Sequence, residues 1–292
     1  MKVEVRVFLH ATTYTHVRST QFEKNFMPTK EFRKSFTNTI DSLHVRISEM
    51  TLADNSDFYQ LLRAYYAFIH KRTQTLFLLV QNDCLWDADI ILRPIAECTV
   101  KFAFISSFEN PERDKKVKEF WGDLAEINRL KQSKQAKQII ELTGFDSKFL
   151  SDIALEENEH RELSEKWTKS KRQRTEQPWS YNEMIKTISK NYDFKEILGL
   201  TRNFTQSSHL IHADETALGV IKDRENRTEE KKEALMNLHE VRLLSDCVQF
   251  YFWLVKVCFR LSDKKMDSEL IKKVEEFENG TEVFEHLRKV IA

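Results

Sequence analysis

Arg202, Asn203, His209 and His212 fall within one short stretch, Thr201 to Asp214, that otherwise carries an apolar helical pattern. On a continuous helix Arg202 and His209 share a face, roughly 10 Å apart along the axis. A guanidinium is permanently charged and long enough to span much of that gap. Histidine is the side chain best suited to moving protons near neutral pH. An arginine on phosphate oxygens and an imidazole at a ribose hydroxyl suffice for RNA cleavage without a metal.

Other polar residues could support such a site. Arg93 and Glu97 stand four apart in a strongly apolar stretch, a spacing that allows an internal ion pair. The pair is either structural or lines a pocket that orients the Arg202 region. Pro94 between them removes a backbone donor in mid-helix and predicts a kink. Ser208 and His212 are also four apart, so the hydroxyl could bond the imidazole. A hydrolase built on that pair would lack a nucleophile elbow and an evident oxyanion hole. Asp214 could face His212 only if the helix ends at Ala213. His209 and His212 lack a carboxylate at ligand spacing, and Glu157-Asn158-Glu159-His160 has no second copy to complete a two-metal site, so no metal or other cofactor is expected. The basic run from Lys166 to Arg174 contains Trp167. Lys169, Lys171, Arg172 and Arg174 could contact a phosphate backbone while the indole stacks a base; the bland alternative is a solvated face.

Arg202-Asn203 followed by His209 resembles the signature of the HEPN superfamily (higher eukaryotes and prokaryotes nucleotide-binding), at the longest gap that signature allows. Leu92-Arg93-Pro94-Ile95-Ala96-Glu97 resembles the Leu-Arg-x-x-x-Glu core helix of an uncharacterised bacterial family often grouped with HEPN-like proteins. Phe204, Ser208, His212 and Asp214 are similar to that family's later helix, with Phe for the usual Tyr. The first resemblance selects His209 and the second His212. Together they imply an all-helical, metal-independent endoribonuclease of phage defence or a toxin system, acting on tRNA or mRNA. They also imply a homodimer whose Arg/His helices meet, and an antitoxin or effector partner. In that scheme Arg202 stabilises the pentavalent phosphate, Asn203 orients it, and His209 or His212 handles protons. The other reading is a non-catalytic helical module that binds a nucleotide or a partner.

Composition fits an all-α, multi-helix bundle. Only 5 Gly and 4 Pro accompany 21 Phe and 32% charged residues, which argues for long helices with few turns. The 46 basic and 46 acidic residues cancel, so any RNA contact must be local. Cys84, Cys98, Cys247 and Cys258 lie in apolar segments without metal spacing and read as buried thiols of a reducing cytoplasm. Val3, Val5, Val7 and Leu9 alternate as a short N-terminal strand would, with no signal peptide or membrane span. The apolar run Leu243–Leu261 is broken by Asp246, Gln249, Lys256 and Arg260, so it too should stay out of a membrane. Amphipathic helices are predicted over 30–50, 58–80, 83–108, a stretch opening at Trp179 and Tyr181, 228–261 and 266–290. Residues 111–177, dense in Lys, Glu, Arg and Gln, read as a charged, solvent-exposed helical excursion from a single domain of 1–292.

Overall fold

A computed structural model describes residues 30–52, 54–145, 147–191, 208–282 and 287. The predicted N-terminal strand, Arg202 and Asn203 lie outside the described residues. Among those described the structure is all α-helical, without a strand. The chain divides into two compact units, residues 1–103 with 194–292, and residues 104–193.

The first unit is built on helices α1 (Lys30–Thr51), α2 (Asp57–Gln81) and α3 (Leu85–Ser106, whose last turn enters the second unit), with α10 (Glu215–Glu225), α11 (Glu229–Leu261) and α12 (Ser268–Glu282). In α1, Phe32, Phe36, Ile40, Leu43 and Ile47 recur every three or four residues, and all are buried. This stripe faces α11 and α12, with Phe32 stacked on Phe277 at 5.1 Å. At its edge the Arg33 fork donates to Glu240, Nε at 2.6 Å and Nη2 at 2.8 Å. Thr228 caps α11 by accepting from the Lys231 amide, and the helix runs 33 residues with most of its circumference covered. Among the described residues no helix is long and apolar enough to cross a membrane. The α3 helix continues unbroken through Pro94.

The second unit is an unbroken stretch of chain: α4 (Glu112–Lys118), a π-turn (Glu119–Asp123), α5 (Leu124–Thr143), α6 (Lys148–Ile153), α7 (Glu157–Lys166), α8 (Lys169–Glu176), a 3-10 turn (Gln177–Trp179) and α9 (Tyr181–Asn191). It is more than a solvated excursion, because it has a core of its own. Ile127, Leu130, Leu155 and Trp167 form one buried cluster, and Trp179 packs on Phe104 and Phe120. Sparse apolar residues suffice here because burial is concentrated on α5, through Ile127, Leu130 and Ala136, and on α9, through Met184, Ile185 and Ile188, while α6, α7 and α8 have no buried residue.

Candidate functional site

The helical residues 208–212 end at Ala213, whose φ of 45° is left-handed. The Ala213 amide returns to the Leu210 carbonyl at 3.3 Å and that of Asp214 to His209 at 3.5 Å. This is a Schellman ending with alanine at the position that favours glycine. Ala213→Gly should therefore stabilise the protein by about 1 kcal/mol. A thermal melt that moves down instead would show the turn to be unstrained.

The reversal swings Asp214 back onto the preceding turn, where it serves two neighbours. Oδ1 accepts from the amides of Thr216 and Ala217 at 3.1 and 3.2 Å and so caps α10. Oδ2 lies 2.6 Å from Nδ1 of His209. The His209 bond, helped by the two amides, holds the Asp214 carboxyl below the usual carboxylate range. An ionised Asp214 accepts from Nδ1–H, which fixes the tautomer and leaves Nε2 as the nitrogen that can exchange a proton. The helix does end at Ala213, but Asp214 takes His209 rather than His212. His212 is exposed, one turn further on.

Arg93 reaches this segment from α3, its Nη1 donating to Ser208 Oγ at 3.3 Å. Two expected pairings are thereby replaced. Ser208 serves Arg93 instead of His212, and Glu97 pairs forward with Lys101 at 2.6 Å instead of back with Arg93. A glutamate four residues before a lysine is the better-oriented helical pair, which frees the guanidinium to cross between elements.

On the same stripe as Arg93, Asp89 is fully buried and accepts from two residues of α11: His239 Nε2 at 2.9 Å and Arg242 Nη2 at 2.5 Å. Arg242 also donates to Asp246 at 3.1 Å. Trp86 packs edge-on against the His239 ring. Burial pushes His239 down to about 3, against the pull of Asp89, so the imidazole is neutral at physiological pH. Arg242 and His239 hold the Asp89 carboxyl far below its ordinary value. Sequence reasoning missed this cluster. Its one legible mark is that Asp89 precedes Arg93 by a helical turn within an apolar run.

The basic run lies in the second unit. Lys169 and Lys171 are exposed, Arg172 is half-buried, and Arg174 is exposed and bonds Ser170. Trp167 is only 8% exposed, with its indole N–H on Glu126 at 2.7 Å, and cannot stack a base as expected.

Fold and site together define an all-helical protein carrying a carboxylate-anchored imidazole on a helix-terminating turn. The chain belongs to a family of unknown function (DUF5677), whose model matches residues 59–229, more than half of its length. No curated protein and no solved structure matches it. The matched span runs from α2 to the first residue of α11, and takes in Arg93, Glu97, Ser208, His209, His212 and Asp214.

Proposed function

We propose that the protein is a metal-independent endoribonuclease, HEPN-like in its residues, with His209 as the proton-transfer group. The observation that carries this is the 2.6 Å contact between Asp214 and His209 Nδ1, which leaves Nε2 to serve the substrate. The 2′-hydroxyl attacks the adjacent phosphorus and loses its proton to a base. The P–O5′ bond breaks, the leaving oxygen takes up a proton, and a 2′,3′-cyclic phosphate remains. Nε2 can perform either transfer, and His212, one turn away, is the candidate for the other. Arg202 stabilises the pentavalent phosphate and Asn203 orients it, with Arg93 contributing positive charge beside Ser208. Ile211 and Leu218, 43% and 55% exposed and close in sequence to the histidines, suit burial by a second copy. Lys169, Lys171, Arg172 and Arg174 would hold the RNA backbone. A defence or toxin role, with an antitoxin or effector partner, follows from the resemblance alone.

The second reading, a helical binding module, is favoured by the neutral net charge and by the sealed Asp89 cluster, which resembles a structural core more than a reactive one. The two separate when purified protein with EDTA is incubated with total RNA and a tRNA pool, beside Arg202→Ala. Cleavage by the unaltered protein alone, leaving cyclic phosphate ends, is the expected result. No cleavage by either moves the assignment to the binding module, and equal cleavage by both removes Arg202 from the site.

A further inference from the structure

Arg33, Arg242 and Arg224 of the first unit carry buried or half-buried guanidinium groups whose surroundings can be compared. Arg33 turns its Nε and Nη2 edge onto Glu240, and Arg242 meets Asp89 and Asp246. Arg224 is the most buried of the three, 3% exposed, and among the described residues no carboxylate answers it. Its Nε and Nη2 are sealed from solvent and bond no group among the described residues. These are the same two nitrogens with which Arg33 grips Glu240, the edge that holds two oxygens of one anion side by side. The charged neighbour that registers on Arg224 is Arg227, of like sign, whose own fork is turned to Asp223 at 2.9 Å. Burial lowers Arg224 to about 10, so the guanidinium still keeps its charge at neutral pH.

Its surroundings come from three elements. Arg224 shares its α10 stripe with Ala217 and Val220, and Val220 packs on Trp86 of α3. His239 of α11 stands edge-on to Trp86 and feels the charge of Arg224. A desolvated cation without a counter-charge is strongly unfavourable unless an anion joins it.

We propose that Arg224 is the centre of a buried oxyanion site that takes a phosphoryl group, either inorganic phosphate or the phosphate of a nucleotide. Two guanidinium groups with one nearby carboxylate leave net positive charge, which suits a phosphate better than a singly charged carboxylate. The site is independent of the ribonuclease reading. It is not the His209 position, since Arg224 sits at the far end of α10 from the Asp214 cap.

The test is thermal unfolding of the full chain in inorganic phosphate, in AMP, and in sodium chloride at matched ionic strength, beside Arg224→Met. The unaltered protein should gain roughly 5 °C at saturating phosphate or AMP over chloride. Arg224→Met should gain nothing, and should melt at or above the unaltered protein when phosphate is absent, because it removes an uncompensated buried charge. A lower midpoint concentration for AMP assigns the site to a nucleotide, and a lower one for phosphate assigns it to the free ion. Equal gains in both proteins, no gain in the unaltered one, or an Arg224→Met melt well below it in chloride would overturn the proposal. Should Arg224→Met not fold, Arg227→Met serves instead, with a phosphate midpoint raised about 3–10-fold by the lost field; an unchanged midpoint there counts against the site.

Discussion

Replacing Asp89 by alanine is expected to cost about 3–5 kcal/mol of unfolding free energy, read as a shift in the urea midpoint. The carboxylate lies in the core and accepts from His239 and Arg242. Its removal takes one of two carboxylates from Arg242, which keeps Asp246, and takes the carboxylate from His239 Nε2. Truncation by itself would cost far less, so a loss below about 1 kcal/mol would mean that the ion network contributes nothing beyond packing. The same cluster sets an acid sensitivity. His239 titrates near 6.5 in the unfolded chain and near 3 when folded. Between those values the unfolded state binds the extra proton, so stability falls as pH falls, by up to about 1.4 kcal/mol per unit. Asp89, also held low, adds stability that is present above its unfolded value and is lost only in stronger acid. His239→Gln keeps a donor for Asp89 but cannot titrate. Its stability should change less between pH 6 and 4 than that of the unaltered protein, and an identical slope would clear His239 of the effect.

His209→Ala is expected to lower single-turnover RNA cleavage by about 10²–10⁴-fold, with His212→Ala well above it. Asp214→Asn should fall between them. The amide oxygen can still cap α10 in place of Oδ1, so the fold survives. The NH₂ now confronts Nδ1, however, and no longer accepts its proton, which favours the wrong tautomer. Circular dichroism of each variant separates loss of chemistry from loss of helix. The assignment of His209 fails if His212→Ala is the silent variant and His209→Ala retains activity.

The helical periods were legible wherever an apolar stripe was regular, as along Phe32, Phe36, Ile40, Leu43 and Ile47, and wherever a cap stood out, as at Thr228. The second unit was less so. Its core depends on Trp167, which sits inside a charge run and reads as surface until Leu155 and Ile127 close over it. The Asp89 cluster was hidden because its partners lie about 150 residues away, and nothing in a local pattern joins α3 to α11. Which histidine Asp214 meets turned on one backbone angle. A continuous helix cannot bring Asp214 back to His209, and only the left-handed Ala213 does so. Arg202 and Asn203 lie outside the described residues; among those described, Arg93 reaches Ser208, the residue before His209.

The first unit is assembled from two separated lengths of chain, and this orders its birth on the ribosome. Helix α1 emerges early, yet the surface that covers it belongs largely to α11 and α12, which are translated only after the whole of the second unit. The second unit, being continuous, can close while synthesis proceeds. Until α11 and α12 arrive, the apolar stripe of α1 has only partial cover, as from Phe77 of α2 against Phe36, and nascent chains are then most open to chaperone capture and to aggregation.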